Sequence, residues 1–119
     1  MVLFDSNVFI YAANKMIDLS KFKNIEVSYA SISVIEALGF HEITAAEQRA
    51  LQRIFKAYQS FELTLPIIER AIALRQTRKM SLGDAIVAAT ALENNIELWT
   101  ANIDDFKHIE GLILLNPLV

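Results

Sequence analysis

Cysteine is absent from these 119 residues, so neither a disulfide framework nor a thiolate zinc centre can form. Two histidines are too few for a histidine-rich site, so any metal must sit on oxygen ligands. The three glycines, Gly39, Gly83 and Gly111, lie far apart, which excludes a glycine-rich phosphate loop and with it a nucleotide cofactor. Basic residues are in the minority. The 11 Lys and Arg against 14 Asp and Glu leave a net charge of -3, which argues against coating duplex DNA but permits a local basic face. No apolar stretch is long enough to span a membrane and no basic cluster leads the N-terminus, so a cytoplasmic protein without membrane contact is expected.

What is present is apolar. A hydrophobic share of 54% and a mean hydropathy of +0.34 exclude intrinsic disorder, and the length suits one domain over 1–119. So much apolar residue in so short a chain also implies that a partner covers part of the surface; a homodimer is expected.

The apolar run 2–4 reads as a buried strand, ending at Asp5-Ser6-Asn7, where a helix to Ala13 can be capped by Asp5 or Asn7. A second strand is expected over 27–29, a helix over 31–38, and a helix over 44–58 that Thr44 and Glu47 open with a capping box. A third strand is expected over 61–63, helices over 66–78 and 81–94, and strands over 97–100 and 112–115. Strands alternating with crossover helices imply a three-layer α/β/α sandwich around a small parallel sheet.

Ligands of such sheets bind beyond the carboxyl ends of the strands, which draws attention to acids there. Asp5 follows the first strand, and Asp104 and Asp105 follow the strand ending near Thr100. Asp84 opens a helix whose run 85–92 is apolar on nearly every face, so its carboxylate points toward the interior or a cleft. Glu36 lies on a short helix among apolar neighbours. Each acid alone has an ordinary explanation: helix capping for Asp5, Asp84 and Asp105, solvation for Glu36. Gathered at one edge, they would raise one another's pKa unless a cation neutralised them, and Mg²⁺ or Mn²⁺ suits an all-oxygen set. A carboxylate site without cysteine or a catalytic histidine favours metal-activated water attacking a phosphodiester. His41 and His108 read as surface or packing residues. Four of the 11 basic residues, Arg70, Arg75, Arg78 and Lys79, fall within ten acid-free positions before Asp84; they read either as a solvated helix face or as phosphate contacts beside the acids.

Four segments in order resemble the motifs of PIN-domain ribonucleases, and of VapC-type toxins in particular. They are 5–11 (Asp-Ser-Asn-Val-Phe-Ile-Tyr), 33–40 (Ser-Val-Ile-Glu-Ala-Leu-Gly-Phe), 81–92 (beginning Ser-Leu-Gly-Asp) and 100–106 (Thr-Ala-Asn-Ile-Asp-Asp-Phe). The resemblance implies a Mg²⁺-dependent endoribonuclease leaving 5′-phosphate and 3′-hydroxyl ends, dimeric and silenced by a cognate antitoxin. It puts Asp5, Glu36 and Asp84 at the three main acids and Asp105 at the acid before the phenylalanine, all four serving catalysis and metal binding. Ser6, Asn7, Ser33, Asn102 and Asp104 form a secondary ring, and Arg75, Arg78 and Lys79 are the RNA-binding candidates. Two departures stand out. Ser6 replaces the usual threonine, and Asn102 occupies a position that is often Asp in the family. A non-catalytic PIN module binding RNA or protein is the alternative. A receiver domain fits less well, because a mid-chain phosphoacceptor Asp and a late Lys-Pro are both missing.

Overall fold

The computed structural model describes all 119 residues. Five strands, β1 (Val2–Phe4), β2 (Val27–Ala30), β3 (Gln59–Phe61), β4 (Glu97–Trp99) and β5 (Leu114–Leu115), form one sheet in the order β3-β2-β1-β4-β5, parallel throughout. The connections supply the helices α1 (Ser6–Ala13), α2 (Ile32–Leu38), α3 (Ala45–Ala57), α4 (Leu65–Thr77) and α5 (Leu82–Glu93). Short 3₁₀ turns occupy Leu19–Phe22 and Ile103–Asp105.

Alternation along the strands divides the core between the two faces of the sheet. Val2, Phe4, Tyr29 and Trp99 meet Phe9 of α1 and Leu51 and Phe55 of α3 on one face. On the other, Leu3, Ala30 and Leu98 meet Val87, Ala88 and Ala91 of α5, together with Phe106. The result is the α/β/α sandwich expected from the strand–helix alternation. α5 is buried from Ala85 to Ala91, and its one buried hydroxyl is satisfied, Thr90 Oγ1 donating to the Ile86 carbonyl at 2.7 Å.

Helix starts agree with the capping residues. Thr44 and Glu47 form the capping box of α3, Ser81 Oγ accepts the Asp84 N–H at 3.1 Å, and Asp5 rather than Asn7 caps α1. The third strand is displaced from 61–63 to Gln59–Phe61, because its pairing with Ser28–Ala30 sets the register while Gln59 and Ser60 stay exposed on the edge. Glu62 and Leu63 instead lead into Thr64, the N-cap of α4. β5 is shorter than expected, Leu112 and Ile113 lying before it.

From β1 the chain builds outward through β2 and β3, then returns to lay β4 and β5 on the other side. Strand order therefore reverses between β1 and β4, and the crevice beyond their carboxyl ends is where a parallel sheet of this kind opens to a ligand.

Candidate active site

Asp5 stands at that crevice. Its carboxyl is 4% exposed and held from three sides: Oδ1 accepts the Ser6 N–H at 2.8 Å, and Oδ2 accepts the Thr100 hydroxyl at 2.9 Å and Asn7 Nδ2 at 3.3 Å. Thr100, fully buried at the end of β4, also accepts the Asn102 N–H at 3.0 Å and Asn7 Nδ2 at 3.4 Å. Asn7 Oδ1 accepts the Ala101 N–H at 3.4 Å. Asn7 and Thr100 thus tie the end of β1 to the end of β4 with Asp5 between them.

Glu36 and Asp84 reach the crevice from helices. Asp84 is half-buried in the first turn of α5. Glu36, on α2, is exposed on its outer side, while its carboxylate lies over the bare Cα of Gly83; a Cβ there would overlap Glu36 Oε2 and stand 2.8 Å from Cδ. Burial, and then the nearby charges of Asp84 and Asp105, push the Asp5 pKa up, against the hydrogen bonds from Thr100 and Ser6. Glu36 is raised by burial and by the charges of Asp5 and Asp84, with the Ser6 hydroxyl opposing. Asp84 is raised by burial and by Asp105. The four acids therefore share one electrostatic neighbourhood at one end of the sheet.

None of them is paired with a base. The ion pairs of the molecule are His41–Glu42 at 3.5 Å, Arg70–Glu93 at 2.7 Å and Lys107–Asp104 at 3.0 Å. Desolvated carboxylates that repel one another and lack a protein cation form a donor set suited to a hard divalent ion. As arranged, no three acidic side chains are close enough to hold one ion together.

The PIN domain family model matches residues 2–112. This chain is a member of the PIN-domain family. No curated protein matches it in sequence. Among solved structures, it is similar over 98% of both chains to one in a toxin–antitoxin complex from Klebsiella pneumoniae, with TM-score 0.74 and 25% identity. A chain of VapBC2 from Rickettsia felis, solved on a DNA fragment from their promoter, superimposes with TM-score 0.83 at 23% identity, again over 98% of each chain. For VapBC-1 from nontypeable Haemophilus influenzae the values are 0.81 and 19% over the full length of both.

In this PIN domain the other candidates divide. Ser6, Asn7 and Asn102 adjoin the acids through the contacts above, whereas Asp104 is exposed and paired with Lys107. Ser33, one turn before Glu36, is fully buried with an unpartnered Oγ, as is His108 Nδ1. The basic run does not act as one strip. Arg70 bonds Glu93 at the far end of the α4–α5 pair, and Arg75 Nε donates to the Met80 carbonyl at 3.3 Å. Arg78 and Lys79 remain exposed in the short link leading to Asp84. Thr100 and Gly83, which composition and spacing did not single out as site residues, adjoin these acids: one bonds Asp5, the other makes room for Glu36.

Proposed function

We propose that this PIN domain, as a single domain over 1–119, is a cytoplasmic Mg²⁺-dependent endoribonuclease, with Mn²⁺ able to substitute, and the toxin of a toxin–antitoxin pair. The observation that carries the reading is that Asp5, Glu36 and Asp84 are each raised by burial and by neighbouring acids, Asp105 among them, at the strand-order reversal, with none of the four paired with a base.

Asp5 and Asp84 are the principal residues to hold the ion, with Glu36 and Asp105 completing the charged pocket. Bringing three oxygens onto one ion requires the helix-borne Glu36 and Asp84 side chains to turn inward. When bound, the ion supplies a water of lowered pKa and neutralises charge on the scissile phosphate. The Thr100 hydroxyl and the Asn7 amide orient Asp5, and Ser6 steadies Glu36. Arg78 and Lys79, with Arg75 beside them, contact phosphates flanking the scissile bond and so offset the net charge of -3. Unpaired or looped RNA is the substrate class, since its bases and backbone can be drawn into a crevice that an A-form stem cannot enter.

The antitoxin and a second copy of the chain are the partners. Their support is the likeness to chains solved in toxin–antitoxin complexes and the apolar surface left on α4 and α5, where Ile68, Ile72 and Leu82 border a groove of about 520 Å³. No helix is long and apolar enough to cross a membrane.

The test is cleavage of total RNA by purified protein. Mg²⁺-dependent cutting that excess EDTA stops and Asp5→Asn abolishes, with an unchanged circular dichroism spectrum, is expected; full activity in EDTA or in the variant rejects the metal site. Replacing Arg78 and Lys79 with Gln is expected to lower the salt slope of RNA binding by about 0.7 per lost phosphate contact. An unchanged slope would return both residues to ordinary surface charge.

A further inference from the structure

Next to the acids, the segment after β4 lines a second pocket, shallow, mainly polar and about 440 Å³ in volume, with Asp105 belonging to both. Its backbone is pinned, the Asn102 N–H donating to Thr100 Oγ1 at 3.0 Å and the Asp105 N–H to the Asn102 carbonyl at 3.1 Å. The Asn102 side-chain amide caps nothing and stands exposed. Asn116 lines the same pocket, and because its Oδ1 accepts the Leu118 N–H at 2.9 Å, its Nδ2 is left as a donor. Ile103 adds a half-buried apolar surface.

We propose that this pocket receives one unstacked adenine base of the bound RNA, adjacent to the phosphate held at the acids; the assignment rests on the nuclease reading above. The volume falls in the range of small-molecule sites, about 300–1,000 Å³. A primary amide presents a donor and an acceptor side by side, which matches the amino group of adenine and its neighbouring ring nitrogen. Single-stranded RNA offers that edge once the base is splayed out, and the face of the ring can lie on Ile103. The surrounding charge sets the preference. Cytosine shares that donor–acceptor edge, but it carries, like uracil and guanine, a carbonyl oxygen that Asp105 repels, whereas adenine carries none; Asp104 is held by Lys107 at 3.0 Å and adds little. Asn102 is central, because an Asp at this position would lose the donor that the ring nitrogen needs.

Adenosine and uridine are the probes, titrated into metal-free ¹⁵N-labelled protein while the side-chain NH₂ signals of Asn102 and Asn116 are followed. Adenosine is expected to shift both signals saturably in the millimolar range, with uridine needing about tenfold more. Asn102→Ala, an exposed position whose backbone bond is retained, is expected to abolish the adenosine response at Asn116. Equal response to the two nucleosides, no response to either, or a full Asn116 response in Asn102→Ala would overturn the assignment. The nucleosides carry no phosphate and the titration needs no metal, so the two readings fail separately. RNA cleavage without an adenosine response removes only the pocket, and an adenosine response in a protein that cuts no RNA removes only the nuclease.

Discussion

Asp5 and Glu36 are both carboxylates whose ionisation is resisted by burial and by neighbouring acids, yet they are held in opposite ways. Asp5 sits at a strand end, and backbone, hydroxyl and amide groups occupy both of its oxygens. Glu36 projects from a seven-residue helix, and what places it is a missing side chain at Gly83 together with one hydroxyl, that of Ser6. The inner half of the site is thus preorganised by hydrogen bonds, and the outer half by vacant volume. Hydrogen bonds resist displacement, whereas vacant volume only permits a position. The inner half can therefore define where an ion sits while the outer half adjusts to it.

Thr100 tests the inner half, and its loss should have the largest effect. Thr100→Val keeps the shape but removes the hydroxyl donor to Asp5 Oδ2, leaving it only Asn7 Nδ2, and takes away the acceptor of the Asn102 N–H, at a position that is itself fully buried. A stability loss of about 1–3 kcal/mol is expected from the unsatisfied groups. Divalent-ion affinity, measured by calorimetry with Mn²⁺, should fall about 10- to 100-fold, as for other residues that orient a ligand. Thr100→Ser should restore most of both. If affinity survives in the valine variant while stability falls, Thr100 is only a structural tie between β1 and β4.

The charge shared by the two halves gives the second test. The folded-state pKa values of Asp5, Glu36 and Asp84 lie above their ordinary values of 3.8, 4.5 and 3.8, so between those values and the raised ones the folded chain binds more protons than the unfolded chain. Stability of the metal-free protein therefore contains a part that is present at low pH and lost as pH rises through the raised values. Asp18 and Glu47, whose pKa values are lowered by hydrogen bonds, work in the opposite direction but lie on the surface and do so with or without metal. The difference in melting temperature between Mg²⁺ and EDTA isolates the acid site. It should widen as pH rises above the ordinary carboxylate values, and at a hundredfold excess of Mg²⁺ over its Kd it should correspond to about 2.7 kcal/mol of stabilisation. A difference that does not vary with pH would mean that the ion does not bind these acids.

How much of this was legible in the chain follows the same division between local and distant causes. The starts of α3 and α5 could be read because Thr44, Glu47, Ser81 and Asp84 bond within their own first turns. The gathering of Asp5, Glu36, Asp84 and Asp105 followed from parallel topology, which sends every strand's carboxyl end to one edge. β3 was misplaced by two residues because an exposed edge strand has no apolar alternation to mark it, and only pairing with β2 sets its register. Thr100 acquires its part through a bond to a residue 95 positions away, and Arg70 is drawn off by Glu93, 23 positions away. Neither contact leaves a trace in local spacing. Gly83 gains its part only through α2, which brings Glu36 against it from 47 positions away in the chain.

Gly83 offers the finest separation of the two halves, because the same substitution should move stability and activity in opposite directions. It lies inside α5 at a position where alanine is the better helix former, so Gly83→Ala should gain about 0.5–1 kcal/mol if nothing else changes. The added Cβ would overlap Glu36 Oε2, the far end of a flexible and partly exposed side chain that can swing into solvent at little cost. The fold is therefore expected to hold or improve in thermal melts. Cleavage should drop because Glu36 no longer faces Asp5 and Asp84, and ion affinity should fall less than in Thr100→Val, since the inner half is untouched. Adding Glu36→Gln to Gly83→Ala should then cost almost nothing further in activity, the alanine having already removed the carboxylate from the site. Additive losses in the double variant would show instead that Glu36 still reaches the acids past the new methyl group, and that the outer half is fixed by more than the space above Gly83.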